Sequence, residues 1–206
     1  MYLEFESERL YFRPLDENDL DLEIALWTDA EVARFITGEK STVPEIEKLM
    51  PIVTQRACNG CVGLWCLIEK PTRKKIGHVA LLPLPTVAED TEFELLQSDD
   101  WPDRDIEIGF VLKRDFWNLG YATEACAGLL AFTFQETELD TIFATTDPKN
   151  HASRKVLRKT GMREIGLIPA FGAKYPGFKL TRQEWMTKGR SPKDARPERS
   201  ATRGHF

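Results

Sequence analysis

No stretch of this chain stays apolar for long enough to cross a bilayer, so a membrane protein is not expected. Surplus positive charge is also missing: 28 Lys and Arg face 33 Asp and Glu, for a net charge of -5. A general nucleic-acid binder needs excess Lys and Arg for its phosphate contacts, so that class is set aside. His78 and His151, the histidines inside the expected domain, have no Ser or Cys partner that the sequence identifies, which leaves a hydrolase triad without support. The four cysteines, Cys58, Cys61, Cys66 and Cys126, form no disulfide framework for a chain of this size, and a reducing cytoplasm is the default. Cys58-Asn59-Gly60-Cys61 has C-x-x-C spacing, yet no second pair or nearby His completes a metal site. It also ends a helical stretch, whereas a redox pair opens a helix after a strand. The start, Met1-Tyr2-Leu3-Glu4-Phe5-Glu6, lacks the basic head and apolar core of a signal peptide, again as expected for a cytoplasmic protein. Gly38-Glu39-Lys40-Ser41-Thr42 lacks the Gly-Lys pair and upstream glycine of a P-loop.

What is present is enough for one domain with a full core. Leu10 to Leu15 reads as a strand closed by Pro14. Leu20, Ile24, Trp27, Val32 and Phe35 give a broken helical period, and Thr42 with Pro44 opens a second helix running to about Ala57. Gly63 to Glu69 and Lys75 to Leu82 form a hairpin. Residues 83–104 are acidic and carry three prolines, as a long surface loop would. A strand at 105–112, a helix at 121–135, a strand at Thr141–Thr146 and a helix from Ala152 to Thr160 follow, with Gly161 as the stop. Strands at Met162–Ile168 and Phe178–Thr187 complete a domain over residues 1–188. The segment 189–206 is polar, without apolar period, and is expected to be a disordered tail.

The most informative stretch joins the strand Ile106-Glu107-Ile108-Gly109-Phe110-Val111-Leu112 to the helix beginning near Ala122. Its turn, Trp117-Asn118-Leu119-Gly120-Tyr121-Ala122-Thr123-Glu124-Ala125, places a glycine at the tightest point, before a helix N-terminus. Such a terminus has unpaired backbone N–H groups and the positive end of the helix dipole. Gly120 and Ala122 add almost no bulk, so the turn is either a seat for an anion such as a diphosphate or a simple helix cap.

Three segments together resemble the GNAT N-acetyltransferases, and within them the group typified by the ribosomal-protein alanine and serine N-terminal acetyltransferases. They are Glu8-Arg9-Leu10-Tyr11-Phe12-Arg13-Pro14-Leu15, the strand and turn at 105–125, and Asp147-Pro148-Lys149-Asn150-His151-Ala152-Ser153-Arg154-Lys155-Val156-Leu157-Arg158-Lys159-Thr160-Gly161-Met162. The general family pattern has Gln or Arg where this chain has Trp117, but an aromatic there is usual in the ribosomal-type group. That group more often has Gly where Asn118 stands, and Asn tolerates the left-handed conformation better than most residues.

The resemblance implies a mixed α/β fold: a central, mostly antiparallel, splayed sheet with helices on both faces. It implies acetyl-CoA as co-substrate and no metal. Val111 and Leu112 would pair through their backbone with pantetheine beside a bulge in the central strand, and the N–H groups of Asn118, Leu119, Gly120, Tyr121, Ala122 and Thr123 would hold the diphosphate, with Trp117 in the same turn. Asn150 would bond the pantetheine arm, and Ser153 would lie near the thioester sulfur; their alternatives are a helix N-cap and a solvated polar residue. Glu107 alternates away from Ile106 and Ile108, so it is either an edge-strand carboxylate or the base that an amine needs to shed its proton. Cys126 is expected to be buried against the sheet.

The expected activity is direct acetyl transfer to a primary amine, in a ternary complex, by a monomer or homodimer. The acidic run from Glu89 to Asp105 either draws in a cationic acceptor (a polyamine, an aminoglycoside-like amine or a protein N-terminus) or only solubilises the loop. The rival class is a non-catalytic acyl-CoA sensor, which would bind coenzyme A without releasing thiol.

Overall fold

A computed structural model describes residues 2–88, 90–96 and 100–188; the 189–206 tail, Glu89 and Asp99 lie outside the described residues. The strands are β1 (Phe5–Glu6), β2 (Leu10–Pro14), β3 (Gly63–Glu69), β4 (Lys75–Pro83), β5 (Ile106–Leu112), β6 (Thr141–Thr145), β7 (Arg163–Ala170) and β8 (Ala173–Thr181). The helices are α1 (Leu20–Trp27), α2 (Ala30–Ala33), α3 (Val43–Val53), α4 (Tyr121–Glu136), α5 (His151–Lys159) and α6 (Arg182–Lys188). One sheet runs β1-β2-β3-β4-β5-β6-β8-β7. Every neighbouring pair is antiparallel except β5 and β6, which are parallel.

Strand alternation decides which helix covers which face. Ile106, Ile108 and Leu112 of β5 enter the larger core with Leu129, Leu130 and Phe132 of α4. Val111 enters a second core with Leu22 and Leu26 of α1. Helices thus cover both faces, as the resemblance implied. Phe5, on a strand too short to show in the sequence, stacks between Phe12 and Phe132 at centroid distances of 4.4 and 4.8 Å. Each fully buried ring of this kind contributes on the order of 2 kcal/mol, so β1 and β2 are held firmly against α4.

Four expectations need correction. The second helix stops at Val53, short of Ala57. Beyond it Cys58, Asn59 and Gly60 all have left-handed backbones (φ 54, 53 and 89°), which no helix accommodates, and an Ala57–Val62 bridge closes the turn. The last strand spans 173–181 instead of 178–187. Thr181 and Glu184 cap α6 reciprocally: the Thr181 N–H donates to Glu184 Oε2 (2.9 Å) and the Glu184 N–H to Thr181 Oγ1 (3.2 Å). The acidic 83–104 segment is not wholly a surface loop, because Leu84 and Leu96 are buried. It is tied down where the Leu84 N–H donates to the Asp105 carbonyl and the Phe171 N–H to the Pro85 carbonyl (2.8 and 2.9 Å). Finally, β5 has no bulge against β4: their register is unbroken from Gly77–Leu112 to Pro83–Ile106. The opening is on the other side, where β5 and β6 share the single register pair Glu107–Phe143.

Candidate active site

The β5–β6 opening is where two parallel strands each feed a helix N-terminus, an arrangement that gathers ligand-binding groups at the strands' C-terminal ends. After Leu112 the chain makes a 3-10 turn at Arg114–Phe116. Trp117 then folds back, its Nε1 donating to the Leu112 carbonyl at 2.8 Å. Asn118 and Gly120 both adopt left-handed backbones (φ 59 and 87°), so the expectation that Asn118 tolerates this conformation is met. The first α4 hydrogen bond runs from the Glu124 N–H to the Gly120 carbonyl. Among the described residues, the N–H groups from Asn118 through Thr123 have no hydrogen-bond partner. A row of unpaired donors at the positive end of a 16-residue helix suits an anion with several acceptor oxygens.

Ladder geometry decides which β5 residues face the opening. In an antiparallel pair, successive residues turn their backbone groups to opposite sides. The Lys113 N–H bonds the Ile76 carbonyl and the Leu84 N–H bonds the Asp105 carbonyl, so odd-numbered residues face β4. Val111, opposite His78, therefore spends its N–H and C=O on β4, and the expected Val111–Leu112 pair does not line the opening. The residues turned toward β6 beyond the single rung are Phe110 and Leu112, and the Leu112 carbonyl is already taken by Trp117. Phe110 escaped the sequence reading because side-chain alternation says nothing about which strand lies on which side.

Glu107 sits at that rung. It is 9% exposed, and Thr145 Oγ1 donates to its Oε2 at 3.0 Å. Burial pushes its carboxyl up to about 7, outweighing the hydrogen bonds from Thr145 that favour the charged form. A carboxyl poised near neutrality beside an opening has the protonation range of a general base. Beyond β6, Asn150 caps α5, its Oδ1 accepting from the Ser153 N–H at 3.0 Å. Ser153 is partly exposed in the first turn of α5. The helix-cap alternative for Asn150 is therefore realised, and its side-chain N–H₂ makes no hydrogen bond among the described residues.

Other candidates lie elsewhere. His78 is buried, with Nδ1 2.8 Å from Glu23 Oε1, while Trp27 Nε1 donates to the other carboxylate oxygen at 2.7 Å. His151 is exposed at the start of α5. Cys126 is buried, and its thiol is pushed up to about 12 by desolvation. Cys58 and Cys61 are buried without a disulfide. Among the described residues no group of three or more His, Cys, Asp or Glu is placed to hold a metal ion, and no helix is long and apolar enough to cross a membrane.

Comparison with known proteins bears on this geometry. The model of the acetyltransferase (GNAT) domain matches residues 9–163. The chain belongs to the GNAT acetyltransferases. It is accordingly an acyltransferase dependent on acetyl-CoA. The FsC-acetyl coenzyme A-N(2)-transacetylase of Aspergillus fumigatus is 30% identical over 191 residues, covering 87% of this chain and 77% of the relative. An uncharacterised N-acetyltransferase, p20, of Bacillus licheniformis is 26% identical over 163 residues, 79% and 83% of the two chains. The aminoglycoside acetyltransferase AAC(6')-Ib, solved with coenzyme A and kanamycin, superposes with a TM-score of 0.68 over 87% of this GNAT chain and 99% of its own, at 15% identity. At that identity the likeness speaks for the fold.

Proposed function

We propose that this protein acetylates a primary amine on a cationic acceptor by direct transfer from acetyl-CoA, with Glu107 as the base. The observation that carries the reading is a buried carboxyl, lifted to about 7, at the single rung between β5 and β6. The N–H row from Asn118 to Thr123 holds the diphosphate. The open backbone groups of Phe110 and the N–H of Leu112, with the side-chain N–H₂ of Asn150, align the pantetheine amides along the parted strand. Acetyl-CoA supplies an activated acyl group, and the amine nitrogen forms the new C–N bond as the C–S bond breaks.

Proton bookkeeping narrows the acceptor. An α-amine has a pKa near 8 and a lysine-type amine about 10.4. Passing a proton from an α-ammonium to a carboxylate of about 7 is uphill by only about 1.4 kcal/mol, against more than about 4 kcal/mol from a lysine-type ammonium. The lifted carboxyl favours the less basic amine, such as a protein N-terminus or an amino sugar. The leaving thiolate, with a pKa near 8.5, needs little help, so Ser153 assists at most weakly. Asp100, Asp103 and Asp105 lead into β5 just before Glu107 and give the approach a negative bias. The aminoglycoside bound to the structural neighbour and the N-acetyl transfer in the fungal relative's name fit that reading.

The test is a panel of amino sugars, polyamines and peptide N-termini, scored by thiol release and by a mass gain of one acetyl group. Acetylated product with at least one class supports transfer. Tight coenzyme A binding with no thiol release from any amine would favour the sensor reading.

A further inference from the structure

The mechanism leaves unused a cation that reaches the turn from the opposite end of the chain. Arg9 immediately precedes β2, and Glu124 lies in the first turn of α4. Glu124 accepts from Arg9 Nε at 2.7 Å, from the Arg9 backbone N–H at 2.6 Å and from Ser7 Oγ at 2.7 Å. Arg9 Nη1 donates to the Leu119 carbonyl at 2.9 Å, and the guanidinium lies 4.2 Å from the centroid of the Tyr121 ring. Its remaining nitrogen, Nη2, has no hydrogen-bond partner among the described residues. That nitrogen lies 3.3 Å from where a Cβ on Gly120 would stand, beside the row of unpaired N–H groups.

Two physical points give this arrangement a direction. A carboxylate in the first turn suits the helix dipole but repels an incoming anion. Arg9 neutralises that carboxylate and keeps a donor pair over. A guanidinium has N–H groups on three nitrogens, so it can bridge a carboxylate on one edge and a phosphate on another. Its ring contact and two anchors also fix its position before any ligand arrives, which lowers the ordering cost of binding.

We propose that Arg9 is a ligand for a phosphate of coenzyme A, donating through Nη2 while Nε and Nη1 hold the turn in shape. This rests on the reading of Asn118–Thr123 as the diphosphate seat. The phosphate belongs either to the diphosphate or to the 3′ position of the ribose, and the ligands of the test separate the two.

The experiment compares wild type, Arg9→Gln and Arg9→Lys for binding of coenzyme A and 3′-dephospho-coenzyme A by calorimetry. It adds kcat/KM with acetyl-pantetheine, which has no phosphate. Arg9→Gln should weaken coenzyme A by roughly tenfold, since one charge-assisted hydrogen bond to a partly exposed group is lost. It should leave acetyl-pantetheine turnover unchanged. A loss that persists with the dephospho compound assigns the diphosphate, and a loss confined to coenzyme A assigns the 3′-phosphate; both support the proposal. An equal loss with acetyl-pantetheine would mean that Arg9 only shapes the turn, and would overturn it. So would unchanged coenzyme A binding in Arg9→Gln while wild type binds. Wild type that fails to bind coenzyme A at all overturns the diphosphate seat first. If Arg9→Gln does not fold, Arg9→Lys carries the test: it keeps the charge but not the fork, and should lose roughly threefold for phosphate-bearing ligands alone.

Discussion

Replacing Glu107 by Gln should make the protein slower and more stable at once, and the gain in stability should depend on pH. Gln keeps the shape of the side chain and still accepts the Thr145 hydroxyl bond. What it removes is the cost of holding a buried charge. In the folded chain the carboxyl has been lifted from 4.5 to about 7. As pH rises from 4.5, the unfolded chain gives up this proton first and the folded chain keeps it until about 7. The native state therefore binds more protons across that window, and wild-type stability falls as pH rises through it. The lift corresponds to about 3 kcal/mol once the group is ionised. Glu107→Gln should then gain about 3 kcal/mol over wild type at pH 8 and under about 1 kcal/mol at pH 5. For a chain of this length, the pH 8 gain is a rise in melting temperature of roughly 6–12 °C. Melts of both proteins without ligand at the two pH values read the effect directly. In parallel, kcat should drop by about 10²- to 10⁴-fold, and the rise of wild-type activity with pH through about 7 should vanish. An equal stability difference at both pH values would refute the account, because the carboxyl would then titrate normally in the folded protein.

Gly120→Ala forces a side chain onto a left-handed backbone (φ 87°) beside Arg9; about 1–2 kcal/mol of stability should be lost, and titration with coenzyme A should show weakened binding. Arg182→Ala removes donors to the carbonyls of Phe134, Thr137 and Leu139 at the end of α4; denaturant melts should show a loss of about 2 kcal/mol with kcat unchanged. Ser153→Ala should leave kcat within about threefold of wild type, since a thiolate leaves readily near neutral pH; a larger drop in steady-state assays would give the hydroxyl a role. Neutralising Asp100 and Asp103 together should raise KM for cationic acceptors at low salt, an effect that fades as salt is added.

The parts of this molecule that side-chain pattern encodes could be read from the residues alone. Ile106, Ile108 and Leu112 alternate with Glu107 and Val111, so the strand, its two faces and the unusual place of Glu107 were visible. The glycine turn and the helix after it were visible for the same reason: Gly120 and Asn118 are residues that tolerate the backbone the turn requires. The choice between Val111 and Phe110 was not visible, because the side to which a backbone hydrogen-bonds depends on the order of strands in the sheet. Arg9 carried no local signal for this contact, since its partner Glu124 is distant in sequence and the two meet where β2 and α4 share one core. By contrast, the end of β8 was legible and overlooked: Thr181-Arg182-Gln183-Glu184 spells a reciprocal helix cap.

The lone rung joining β5 to β6 has a consequence for how the molecule breathes. Backbone bonding holds each half of the sheet as a unit, whereas the seam between them is sewn by one stitch. On the proposed reading, a pantetheine arm laid into that seam would add stitches that the polypeptide omits, so bound acetyl-CoA would become a temporary piece of the fabric and every departing thiol would loosen it again. Amide exchange along Phe110 and Leu112 would then follow the catalytic cycle, slow while the arm is in place and fast after it leaves.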